Sequence, residues 1–161
     1  MNESIFKELY ELGQITAQEL HLPFVKREVP RIFINPYMKT SGACSRDLNV
    51  IHIKERNNKP TTTIMHEIGH MVLDHIHGEE NYYDDNGDVI MELWYKSINE
   101  QMANSVMWAM EYKLAGLHFY VQAATELVRR KIMFEWVYIE DMEQRSKVIQ
   151  NLYENLFKDD E

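Results

Sequence analysis

Residues 61–77, TTTIMHEIGHMVLDHIH, restrict the fold of this chain more than any other stretch. Ile64, Ile68, Met71 and Val72 recur there at spacings of three and four, which defines one apolar helix face. Four of the chain's 7 histidines fall in the same stretch, two of them around a glutamate as His66-Glu67-Ile68-Gly69-His70. A helix advances roughly 100° per residue, so His66 and His70 stand about 40° apart and project from one side. Glu67 is turned about 60° from His70 by the same arithmetic. Any fold must therefore bury one face of this helix and present two imidazoles and a carboxylate together.

Two imidazoles at that spacing can share a zinc ion at about 2.0–2.1 Å. Glu67 then stands beside the ion, placed to take a proton from an attacking water and pass it to a leaving amine. The plainer alternative is a pair of helix histidines satisfied by hydrogen bonds. The metzincin pattern would need Gly and His where Leu73 and Ile76 stand, so a third histidine at that spacing is absent. His75 lies about 180° from His66 on a continuous helix. His75 and His77 are therefore expected beside the site or on the surface. An acidic third ligand is sought downstream, and Glu100 in SINEQMANSV is the first candidate. It falls in the first turn of an expected helix, and Ala103 is small enough for close helix packing. The competing role is local: Ser97-x-x-Glu100 is a capping box, in which Glu100 would bond its own helix backbone. Glu92 and Asp74 are the reserves.

The 161 residues suffice for one domain with a real core, here taken as residues 1–161. A composition 45% hydrophobic and 27% charged is that of a globular protein. The single Cys44 forms no internal disulfide, which suits a reducing compartment. The start, MNESIFKELYELGQ, lacks the basic flank and apolar run of a signal peptide. No run approaches the roughly 18 apolar residues of a membrane span. A cytoplasmic protein with no membrane association is expected. The net charge of −9 weighs against direct nucleic-acid binding.

Along the chain, residues 3–20 read as an amphipathic helix on Ile5, Leu9, Leu12, Thr16 and Leu20. RIFIN, residues 31–35, reads as a strand stopped by Pro36, and GACS with NVIHIK as an antiparallel hairpin. Any of Thr61–Thr63 is a candidate cap for the motif helix. The acidic, tyrosine-rich GEENYYDDNGDVIMELWYKS reads as a solvated, mobile loop with a turn at Asn86-Gly87. A third helix is expected over residues 97–114, with Ile98, Met102, Val106, Met110 and Leu114 on one face and Gly116 ending it. Residues 120–157 are helical in character, and the stripe Met142, Ile149, Leu152, Leu156 is expected to pack on the domain itself.

With these residues assembled, the chain resembles the ImmA/IrrE family of zinc metallopeptidases. HEIGHMVLDH, the preceding NVIHIKERNNKPTTTIM and the segment Glu100-x-x-Ala103-Asn104 carry the likeness, which covers about residues 1–115. The resemblance implies an α+β domain of gluzincin type, mostly helical with a small antiparallel sheet. It implies zinc held by His66, His70 and Glu100, with Glu67 as general base. Its characterised members cleave helix-turn-helix repressors of mobile elements or stress responses, so a protein substrate of that kind is implied. An extended substrate would add to a sheet edge, for which NVIHIK is the candidate. The chain departs from the family in having EYKLAGLHF where a Leu-Leu-x-Pro stretch often follows the Glu helix. No fused helix-turn-helix domain is visible, and the helical region 116–161 is unassigned. His118, Tyr82 and Tyr83 are the candidates for stabilising an oxyanion. The alternative from another class is a binding or regulatory protein that keeps the fold with zinc structural or absent.

Overall fold

A computed structural model of the chain describes residues 3–75 and 82–158. Its elements in order are α1 (Glu3–Glu19), β1 (Arg31–Asn35), β2 (Gly42–Ser45), β3 (Val50–Lys54), α2 (Pro60–Val72), α3 (Met91–Lys96), α4 (Ile98–Leu114), α5 (His118–Arg129) and α6 (Met142–Asn155). The class is α+β and mostly helical, as expected.

Helix α1 forms where the spacing predicts it, but its buried arc is rotated. Phe6, Leu9, Tyr10, Gly13, Thr16 and Ala17 face inward, whereas Ile5 is 56% exposed. Small residues decide the rotation. A Cβ on Gly13 would collide with Cγ2 of Ile68, so the helix lies directly on α2 at that point.

The hairpin is present, with β2 antiparallel to β3 and Cys44 opposite Ile51. Strand β1 instead runs parallel to β3, with Ile32 opposite Ile51. The sheet is thus mixed, not wholly antiparallel, and its order is β1-β3-β2. NVIHIK is consequently the central strand, and β1 and β2 are the two edges. The alternation that buries Ile51 and Ile53 reports which face is covered. It carries no information on which edge is paired.

Helix α2 begins with Pro60 at its first position, where a missing N–H costs nothing. Lys59 holds the cap position without a side-chain bond. Thr61–Thr63 lie inside the first turn rather than capping it, and Thr63 Oγ1 donates back to the Lys59 carbonyl at 3.1 Å. The acidic stretch is more structured than a solvated loop. Tyr83 and Val89 form an antiparallel bridge around the expected turn, and Met91–Lys96 is a short helix with no buried residue. Residues 76–81, with His77 among them, lie outside the described residues.

Ser97 caps α4. Val106 and Met110 of the expected face are fully buried, while Ile98 and Leu114 at its two ends are exposed. Gly116 at φ +73° follows the C-cap, the left-handed position that terminates helices. One hydrophobic core runs from Phe6 to Ile149, and Met142, Leu152 and Leu156 pack against it. The α6 stripe therefore serves the chain's own core. Among the described residues no helix is long and apolar enough to cross a membrane.

Candidate metal centre

Helices α2 and α4 touch where both sequences are small. A Cβ on Gly69 would lie 2.8 Å from the Ala103 carbonyl oxygen. That contact lays the first turn of α4 over the histidine side of α2. There Glu100 Oε2 stands 2.9 Å from His66 Nε2 and 3.1 Å from His70 Nε2. The two imidazole nitrogens are 3.1 Å apart. A tetrahedral ion at zinc–ligand bond lengths would set such edges at about 3.3 Å. The three side chains therefore fit a metal ion, and a tetrahedral set would keep one position open.

Each imidazole is oriented by its other nitrogen. His66 Nδ1 donates to Asn104 Oδ1 at 2.6 Å, and Asn104 Nδ2 in turn donates to the Val137 carbonyl at 3.1 Å. His70 Nδ1 lies 2.9 Å from His75 Nδ1. Burial, followed by the charge of His70, pulls His75 down to about 3. The two rings hold one another through this contact, and His70 keeps Nε2 turned toward Glu100.

The electrostatics of the metal-free centre follow from the same geometry. Burial opposes charge on His66, but the hydrogen bond and charge of Glu100 outweigh it and push the imidazole up to about 9. Burial alone would raise Glu100, yet His70 and His66 hold it well below the usual carboxylate range. The position facing Glu100 Oε2 thus demands positive charge, whether a proton or a cation. Tyr82 donates its hydroxyl to the other oxygen, Oε1, at 2.7 Å. Burial, then the charge of Glu100, raise the Tyr82 phenol well above its ordinary value.

The capping alternative for Glu100 is half present. Ser97 Oγ accepts the Glu100 N–H at 3.2 Å, but the Glu100 side chain turns to the histidines. The Ser97 N–H bonds the Trp94 carbonyl instead, at 3.1 Å. The backbone of Glu100 is capped while its carboxylate is free to serve the site.

Glu67 is buried and lines one cavity with His66, His70 and Glu100. A Cβ on Gly42 would come within 3.1 Å of Glu67 Cγ, so β2 presses against this side chain. Burial, then neighbouring Glu67, push the Cys44 thiol far above its ordinary value, leaving it neutral and a poor nucleophile. The cavity holds about 560 Å³. Gly42, Ala43 and Cys44 of β2 form one flank, and Trp94, Tyr95 and Tyr138 another. Their rings pack on one another, with Tyr95 and Tyr138 centred 4.7 Å apart.

The remaining candidates separate cleanly. Asp74 is paired with Arg27 and Arg46. Glu92 is exposed and pairs with Lys96. Tyr82 and Tyr83 line the cavity, whereas His118, at the start of α5, does not. Sequence reasoning missed Val137 and Tyr138, which come from the unassigned C-terminal region. Only the Val137 backbone bonds Asn104 and Trp108, and no residue type marks a carbonyl acceptor in a sequence. Comparisons with protein-family models, curated proteins and solved structures gave no match.

Proposed function

We propose that the chain is a zinc-dependent endopeptidase of ImmA/IrrE type, acting in the cytoplasm on a protein. The observation that carries this reading is the convergence of His66 Nε2, His70 Nε2 and Glu100 Oε2 at 2.9–3.1 Å with Glu67 on the same cavity. A purely structural zinc has no use for a buried base beside it. Zinc held by these three ligands would polarise the scissile carbonyl and lower the pKa of the attacking water. Glu67 takes the proton of that water and returns it to the leaving amine nitrogen. Asn104 holds His66 in the tautomer that leaves Nε2 free, and His75 braces the ring of His70 through its Nδ1. The free edge of β2 suits an extended peptide bound through its main chain. The Trp94, Tyr95 and Tyr138 flank suits a bulky apolar side chain beside the cleaved bond. A helix-turn-helix repressor of a mobile element or stress response is the substrate implied by the family resemblance.

A non-proteolytic binding or regulatory role is the second reading. It is favoured by the His66–Glu100 pair, which a proton satisfies without any ion. Metal content and cleavage of a repressor encoded beside this gene separate the two, measured for the native chain and for Glu67→Gln. Both proteins should hold about one zinc per chain, and the variant should cleave at least about 100-fold more slowly. A protein that folds fully yet resists zinc loading overturns the reading.

A further inference from the structure

The geometry points to Tyr82 as a positioning residue that makes Glu100 a one-oxygen metal ligand. This rests on the zinc reading of the same site. A carboxylate facing an ion can bind through one oxygen or chelate through both. Here Oε2 converges with the imidazoles, at 2.9 Å and 3.1 Å from their Nε2 atoms. Oε1 is engaged by the Tyr82 hydroxyl at 2.7 Å. A hydrogen bond to a carboxylate is charge-assisted and among the stronger kinds, so withdrawing Oε1 from it opposes chelation. Three single-atom ligands then leave one tetrahedral position for water or substrate, whereas a chelating Glu100 would crowd it.

The hydroxyl is delivered from a well-held backbone. The Tyr82 carbonyl accepts the Ile90 N–H at 2.7 Å, closing the turn in which the Gly87 N–H reaches the Asp84 carbonyl at 3.0 Å. The bridge between Tyr83 and Val89 lies just inside that closure. The Tyr82 ring packs on Tyr83 with centroids 4.8 Å apart. Tyr82 thus acts through Glu100, its proton committed there rather than offered to a substrate oxyanion.

The test uses Tyr82→Phe, which removes one oxygen and keeps the ring. Zinc affinity is measured by chelator competition, the cobalt-substituted protein by visible absorption, and the metal-free protein by thermal melting. The variant should bind zinc about 10- to 100-fold more weakly, as for loss of other groups that orient a ligand. Its cobalt bands should lose intensity as Glu100 chelates and coordination rises from four to five, and the loss of zinc affinity should exceed what any fall in metal-free melting accounts for. Unchanged affinity with an unchanged cobalt spectrum overturns the role. So does a metal-free melting loss that accounts for the whole effect, since Tyr82 would then act only through the fold. A native chain that takes up neither metal overturns the zinc reading itself, a separate failure.

Discussion

The histidines of the motif are distinguished by what holds their second nitrogen. His66 is set by Asn104 and His70 by His75, so His75 matters as a support and not as a ligand. This division was partly legible in the sequence, since helix rotation places His75 opposite His66. Asn104 was visible only as part of a family-like segment, because the bond it makes depends on where α4 lies. The charges at this scale give a pH signature. In the metal-free protein His66 is raised from 6.5 to about 9. Its stabilising contribution is therefore complete below about pH 6.5 and lost as pH rises through about 9. Glu100 is lowered from 4.5, so its contribution is complete above about pH 4.5 and lost as the solution turns more acidic. Metal-free protein should melt at its highest temperature between these limits, with a fall from pH 6.5 to 9. Zinc-loaded protein should lack that alkaline fall, because the ion replaces the proton on His66. Melting curves of chelator-treated and zinc-loaded samples across this range check it.

At the scale of elements, the site is a consequence of how closely α2 and α4 approach. Gly69 and Ala103 were readable as small residues permitting such an approach, and the structure sets them directly against each other. The obstacle to a larger residue is a backbone carbonyl, which cannot rotate aside. Gly69→Ala should cost about 1–3 kcal/mol through overpacking, read by urea unfolding. It should also weaken zinc binding, because separating the helices moves Glu100 from the imidazoles. An unchanged midpoint with unchanged zinc affinity would show that the helices tolerate a wider spacing. The sheet was less legible. GACS and NVIHIK were readable as a hairpin, which the structure shows, but pairing with β1 made the expected edge strand central and left β2 beside Glu67. Strand order depends on long-range pairing, and side-chain alternation contains no trace of it.

At the scale of the whole molecule, the C-terminal region belongs to the same core that carries the site. Arg145 on α6 is fully buried, with Nη2 at 3.1 Å from Glu111 on α4. Its Nη1 donates to the Ile139 and Glu140 carbonyls at 2.8 and 3.1 Å, and its guanidinium lies 3.7 Å over the Trp108 ring. Arg145→Ala should destabilise the fold by about 2–4 kcal/mol, measured by chemical denaturation. The lower part of that range applies if Glu111, 26% exposed on its side chain, recovers solvent. A loss below about 0.5 kcal/mol, the level of an ordinary surface change, would mean that α6 is held by its apolar stripe alone. The sequence by itself determined the motif helix, because the backbone fixes its rotation and so puts His66, Glu67 and His70 on one side. It also determined which stripes are apolar, since 3.6-residue and two-residue periods are local properties. Only the tertiary structure decided which carboxylate oxygen meets the imidazoles, which strand edge stays free, and that Val137 supplies the acceptor for Asn104. Those contacts join residues about twenty or more positions apart, and their geometry is set by packing that leaves no periodic mark on the chain.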